Sequence, residues 1–336
     1  VSDYAKNFNT ANCILNRNSL KIAGDAINAT LDVDGVAVTL VYVDVTKGWI
    51  VTDSGNQSDA PTAKYVAATG GCITTCGNYK IHTFLSPATF TVSCGGNAGG
   101  SNSVDYLVVA GGGGGGGYGS GAGGAGGFRL ANSSCMPAPL TSPLAAPAGE
   151  PVSASPGAYP ITVGGGGTAG TGTTSPGNAP SGDDSVFSTI TSAGGGGGRS
   201  GKEAGASGGS GGGAKGGPTP TSGYCGGAGD TPATPIAQGT PGGKGYDGLS
   251  ISTQGGGGGG AAAAGGDAAS NIGGTGGIGS FVLQTGFAGC NGTTGPTPST
   301  RYFAGGGGGS TDNLPAGGSF GPGGAGGGGD GSHAPG

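Results

Sequence analysis

The sequence predicts a mostly β and irregular protein with essentially no α-helix: small N-terminal antiparallel β modules followed by a glycine-rich polyproline-II helix sandwich. Three observations predict it. Short apolar bursts separated by turn signals fill roughly the first hundred positions. Pure glycine runs stand at 111–117, 164–167, 194–198, 255–260 and 305–309. After position 104 no stretch keeps a helical period, and the most helix-friendly piece, 261–264, is too short to nucleate.

In chain order, apolar bursts at 13–15, 20–22, 29–31, 36–43 and 49–51 read as strands at a spacing of about eight to twelve residues. That pattern predicts a small sandwich or barrel-like unit. Asp34-Gly35 and Lys47-Gly48 supply turns, the first of a hairpin, and Trp49, the one tryptophan, is expected to anchor the small core. Residues 54–62 read as a linker. Strands follow at 79–84, 88–93 and 104–110, the last running straight into seven glycines. The expected division is 1–58 as an attachment β module, 59–103 as a β-hairpin connector and 104–336 as the glycine-rich domain. More complex stretches at 130–160, 218–238 and 281–303 interrupt the glycine and read as loops.

Glycine accounts for 90 of 336 residues and proline for 21, a level that without a period is the composition of disorder. A flexible linker, however, has no use for the Val, Ile and Phe that flank the runs. Collagen fails for want of a sustained Gly-X-Y period. Bundled polyproline-II helices satisfy the residues best. Such a helix has three residues per turn, rises ~3.1 Å per residue and points every N–H and C=O outward, so seven residues span roughly 22 Å. Without Cβ atoms, neighbours approach closely enough for those groups to pair between helices. Flanking residues such as Ile161, Phe187 and Val282 are then expected to seal the edges, and Gly113→Val or Gly257→Val to wedge helices apart.

Charged residues make up 9% and the net charge is −5, so nothing here neutralises a phosphate backbone and nucleic acid is not an expected partner. No run of ~18 apolar residues predicts a membrane span, and no charged-then-apolar leader stands at the start. Of seven cysteines only Cys72 and Cys76 lie near one another. A turn at 73–75 would let them bridge, whereas one extended strand holds them about 13 Å apart, too far for a disulfide. Among glycine motifs, 196–202 fails as a phosphate loop because Glu203 stands where Ser or Thr must hold magnesium. Residues 242–250 match one calcium nonapeptide, with Asp247 as the ligand to test, but that architecture needs stacked copies. His82 lies in an alternating strand, where a bonded side chain is commoner than a general base, and His333 lies in a tail. No catalytic constellation and no cofactor are expected.

Residues 104–117, with Tyr118 and the Gly126-Gly127-Phe128-Arg129 sequence, resemble the opening of the glycine-rich domain of tail-fibre proteins of tailed bacteriophages. Residues 70–75, 79–84 and 89–92 are similar to the hairpin that precedes it, and 16–49 to a small β module of phage fibres. The resemblance covers roughly 12–129 by motif and the rest by composition. It implies a polyproline-II sandwich like that of distal adhesins, whose connecting loops contact the host surface. The cysteines are more numerous than that family leads one to expect.

The expectation that follows is a virion tail-fibre or tip protein, extracellular, displaying receptor-binding loops to a host cell-surface glycan or outer-membrane protein. It would join other fibre or tail proteins and form a homo-oligomer, a trimer among the options, without membrane insertion. Candidate receptor contacts are Met136, Tyr159, Tyr224, Tyr246 and Phe287; for each, covering an edge of the slab is an equal reading. Deleting 218–238 is expected to abolish adsorption and leave the fold intact. The rival reading is a structural subunit of an extracellular filament or sheath, and a disordered glycine-rich polymer is the third.

Overall fold

The computed structural model describes residues 1–56, 65–97, 100–117, 119–131, 142–146, 149–151, 156–170, 177–201, 203–216, 224–247, 253–283, 288, 291–311 and 318–332. The chain divides into two compact units, Val1–Lys64 with Asn97–Gly100, and Tyr65–Gly96 with Ser101–Gly336. Among the described residues there is no α-helix.

The first unit holds two antiparallel pairs. Strands β1 (Cys13–Leu15) and β2 (Ala29–Leu31) pair with each other, as do β3 (Val36–Asp44) and β4 (Gly48–Asn56). The predicted sandwich is not what forms, because no second layer covers the β3–β4 ribbon among the described residues. Trp49 is accordingly 37% exposed and packs edge-on against Tyr42, with centroids 5.6 Å apart, instead of anchoring a core. Three other expectations change. Residues 33–35 do turn, but β2 pairs back to β1 and not forward to β3, so the turn closes no hairpin. The burst at 20–22 forms only isolated bridges from Ile22 to Asp25 and Trp49. Ser54, Gly55 and Asn56 belong to β4, opposite Val38, Ala37 and Val36, so strand pairing overrides their polar, linker-like character. Gly48 sits at φ 71°, and a Cβ there would overlap the Lys21 carbonyl, so the tight return into β4 admits glycine alone.

This unit is pinned by a buried carboxylate. Asp3 accepts from the amides of Asn7 at 3.1 Å, Phe8 at 2.9 Å and Gly35 at 3.0 Å. Burial pushes its carboxyl upward, but the backbone donors outweigh that and hold it below the usual carboxylate range.

The second unit contains a layered β region. A five-stranded sheet runs in the order β16 (Ile190–Ser192), β15 (Ser185–Phe187), β14 (Gly157–Thr162), β8 (Ala88–Gly95), β5 (Val66–Thr69). A three-stranded sheet joins β10 (Tyr106–Val109), β11 (Phe128–Ala131) and β12 (Ala145–Ala146). Because side chains alternate across a strand, β10 and β11 feed two separate cores. Tyr106, Val108 and Ala131 join Phe90, Val92 and Phe187; Phe128 and Leu130 join Val282 and Ala304, with Leu107 and Val109 against them. Val282 and Phe303 come from the hairpin of β19 (Ser280–Leu283) with β20 (Thr300–Phe303). The β6 (Cys72–Cys76) and β7 (Tyr79–Thr83) hairpin and the antiparallel pair of β9 (Ser103–Val104) with β13 (Glu150–Pro151) complete this region. Cys72 and Cys76 thus lie in one strand as free thiols, the alternative in which they cannot bridge.

The glycine runs grow out of these strands: β10 leads into 111–117, β14 into 163–170, β16 into 193–200, β20 into 304–310, and 272–279 leads into β19. Their hydrogen bonds repeat every three residues. Successive amides from Gly255 to Ala261 donate to the carbonyls of Ser310, Ala214, Gly266, Gly307, Gly211, Ala263 and Ala304, all at 2.8–2.9 Å. Successive carbonyls from Gly255 to Gly260 accept from Gly274, Ala122, Gly243, Gly277, Ala125 and Thr240 at 2.7–3.1 Å. A strand would alternate between two sides and an α-helix would bond to itself. A rotation through three donors and three acceptors is the signature of a three-residue turn, the polyproline-II helix. One run therefore has six neighbours, and every inward position excludes side chains. A Cβ on Gly257 would overlap the Thr275 carbonyl, and one on Gly113 the Gly196 carbonyl.

Candidate functional site

Hydrogen-bonded rows give the glycine lattice two ends. Gly127, Ala193, Ala261 and Ala304 lie in the row beside the β layers. Ser120, Arg199, Ala214, Gly255 and Ser310 lie in the row at the opposite, distal end, linked through Gly255 N to Ser310 O, Ser310 N to Ser120 O and Gly256 N to Ala214 O. Segments must reverse at both ends, so side chains gather there while the interior admits almost none. At one such reversal Gly119 takes φ 62°, in the left-handed region, as run 111–117 gives way to 119–127.

Of the five candidate contacts, Met136 and Phe287 lie outside the described residues. Tyr159 is half-buried in the strand-end core, its ring 6.3 Å from both Phe90 and Phe187. Tyr224 and Tyr246, both half-buried, stand at the distal end on neighbouring segments joined by the Gly242 amide to the Gly227 carbonyl. Tyr246 opens β17 (Tyr246–Asp247), which pairs with β18 (Thr253–Gln254). The structure therefore brings two of the tyrosines to one end and places the third at the other. Asp247 pairs through its backbone with Thr253. No group of three or more His, Cys, Asp or Glu is placed to hold a metal among the described residues.

The distal end also gathers polar side chains that sequence reasoning did not single out. Asn178 Oδ1 accepts from the amides of Ser200 at 3.1 Å and Gly201 at 3.3 Å, while its Nδ2 donates to Glu203 at 3.3 Å. Asp267 accepts from the Lys244 amide at 2.7 Å, and Lys215 follows Ala214 of the distal row. The available signal was scarcity: with charged residues at 9%, those next to glycine runs mark where a run ends.

At the strand end the loop after Gly229 is built around Asp230, which accepts from the Thr234 hydroxyl at 2.8 Å and the Gln238 amide at 3.2 Å. Gln238, 1% exposed, accepts at Oε1 from Ala193 N at 2.8 Å and donates to the Pro232 carbonyl at 2.9 Å; its backbone carbonyl takes the Phe128 amide. Residues 226–227 lie inside the lattice, where the Gly227 amide bonds Gly212. Deleting 218–238 would thus remove lattice and core bonds, so it cannot leave the fold intact as the sequence suggested. His82 donates from Nδ1 to the Gly70 carbonyl at 2.8 Å and stacks edge-on against Phe90, a bonded strand histidine. Burial pushes the Tyr106 phenol up, with Arg129 opposing and Glu150 adding to the shift. Glu150, 8% exposed, is held by the hydroxyls of Ser188 at 2.8 Å and Thr189 at 3.1 Å. Among the described residues, no helix is long and apolar enough to cross a membrane.

No curated protein and no solved structure matches the chain. A family model for a glycine-rich domain matches residues 85–336, from just before β8 through the whole lattice. A match over that share of the length, on a unit whose hydrogen bonds repeat every three residues, identifies the chain as a member of the glycine-rich domain family.

Proposed function

We propose that this chain is a tail-fibre or tip protein of a tailed bacteriophage that mediates attachment to a host cell, with the glycine lattice as a stiff mount for receptor-contacting loops. The observation that carries the reading is the allocation of side chains. The lattice interior admits little beyond backbone, a few alanines and serines such as Ala122, Ala125 and Ser210, while Tyr224, Tyr246, Asn178, Glu203 and Lys215 collect at its distal end. Tyrosines beside a few polar groups, on a rigid base, suit recognition of a surface glycan or outer-membrane protein. The likeness of residues 104–129 to the opening of fibre glycine domains supports the same reading.

The test is binding of purified protein to intact and surface-stripped bacterial cells. Binding to intact cells alone, reduced at least tenfold in a Tyr224→Ala/Tyr246→Ala double variant of unchanged melting temperature, is the expected result. Equal binding to stripped cells, or an undiminished double variant, contradicts it. The alternative, a structural subunit of an extracellular filament, is favoured by one feature: the β3–β4 ribbon leaves Val41, Val43, Val51 and Trp49 exposed, and an uncovered apolar ribbon invites a neighbouring chain. Open-ended assembly without cell binding would select that reading.

A further inference from the structure

The six-neighbour rule of the lattice exposes a place where one neighbour is missing. Around run 255–260, donor and acceptor directions alternate: 304–310, 122–125, 211–214, 240–243, 263–266, 274–277. Run 119–127 fills five of its six. Gly121, Gly124 and Gly127 donate to 193–199, and Ala122 and Ala125 to 256–259; its carbonyls accept from 110–116, 210–213 and 307–310. The remaining direction holds the amides of Ser120, Gly123 and Gly126: Ser120 donates to the Ser310 hydroxyl at 2.8 Å, while those of Gly123 and Gly126, both buried, have no partner among the described residues.

Two adjoining runs lack a partner on the same side. In 111–117, Gly111 and Gly114 accept from Gly195 and Gly198, Gly112 and Gly115 from Gly167 and Gly170, and the carbonyls of Gly113 and Gly116 from nothing among the described residues. In 304–310 two sets of carbonyls are likewise bonded, to 255–261 and to 321–324, and those of Gly305 and Gly308 are not. All of these groups except Gly126 line a single groove of about 280 Å³ bounded by 112–116, 120–125, 305–310 and 327–332.

The second observation is steric. Most lattice glycines are compulsory because a Cβ would overlap a neighbouring carbonyl. At Gly115 a Cβ meets nothing within 4 Å, and at Gly112 the nearest atom is 3.7 Å away. Among the described residues nothing requires glycine at either position, yet the wall that they form is bare.

We propose that the groove is a vacant lattice position filled by a polyproline-II glycine strand of a second copy of this chain. An occupant must donate to Gly113 and Gly116 on one wall and to Gly305 and Gly308 on another, and accept from Gly123 between them. It must repeat every three residues and present no Cβ to either wall. Chains with 90 glycines in 336 residues supply such strands to one another, so the interface continues the internal lattice across a copy boundary. Backbone groups alone read the occupant, as when a strand adds to a sheet edge, with three sides in place of two.

The experiment measures the solution mass of the full chain beside Gly112→Leu and Gly115→Leu, which project into the groove from positions with space for a side chain. Wild type is expected as a dimer or larger assembly in which the Gly123 amide exchanges slowly. Both variants are expected at single-chain mass, still folded, with the melting temperature of wild type diluted to single-chain mass and a rapidly exchanging Gly123. A single-chain wild type, or variants that stay assembled, overturns the proposal. So does a single-chain wild type that binds a synthetic peptide of residues 255–266, since the groove would then recognise glycine strands without taking one from a second copy.

Discussion

At Gly257 a single hydrogen is the largest group that fits, because the next atom outward would occupy the Thr275 carbonyl. Gly257→Ala is therefore expected to destabilise the glycine-rich unit by about 3 kcal/mol, near the upper end of overpacking costs. Gly115→Ala, with open space beside it, should leave the urea midpoint within the error of wild type; equal midpoints for the two variants would refute a close-packed interior. Gln238 tests the other kind of residue. Truncation to Ala strands the Ala193 amide in the interior and removes the bond to the Pro232 carbonyl, a loss of about 1–3 kcal/mol by the same unfolding measurement. Asp3 carries a pH signature. Its folded carboxyl titrates below the unfolded one, so its stabilisation is full above the unfolded value near about pH 4 and is lost as pH falls through the depressed folded value. Thermal melting followed through Trp49 fluorescence should drop more between pH 5 and 2 in wild type than in Asp3→Asn; parallel pH profiles would remove Asp3 from the account.

At the scale of elements, strands and glycine helices depend on each other. The β10–β11 ribbon fixes the register of 111–117 against 119–127, since Ala110 N bonds Gly127 O one residue past the paired Val109 and Phe128. Phe128→Ala should accordingly cost about 3–5 kcal/mol and also speed exchange of the Gly113 and Gly116 amides, a lattice effect that a local cavity alone would not produce. Much of this was legible: the strands at 13–15, 29–31 and 36–43 and the continuity of strand into glycine come directly from residue pattern. Polyproline-II geometry could be inferred because bare glycine runs leave few ways to satisfy a backbone. What stayed hidden was long-range. No local signal says that Trp49 lacks a covering layer, that Ser54–Asn56 would pair with β3, or that Asp230 organises its loop. The candidate site was legible only as far as Tyr224 and Tyr246; Tyr159 reads the same in sequence, yet neighbouring aromatics claim it.

For the whole molecule, the lattice substitutes backbone pairing for a hydrophobic interior, with its apolar cores confined to the β layers beside one end. Such a body is held by many equivalent hydrogen bonds, each worth little net, and its rigidity rests on their arrangement. That is suited to presenting side chains at the ends, and it makes the three-residue rotation the central claim. Residue-resolved amide exchange on protein labelled at glycine and alanine tests it most directly. The account predicts that all seven amides from Gly255 to Ala261 are uniformly protected, while Gly112 and Gly115, whose amides have no partner among the described residues, exchange fast. Rapid exchange throughout 255–261, or protection at every second residue, would contradict it.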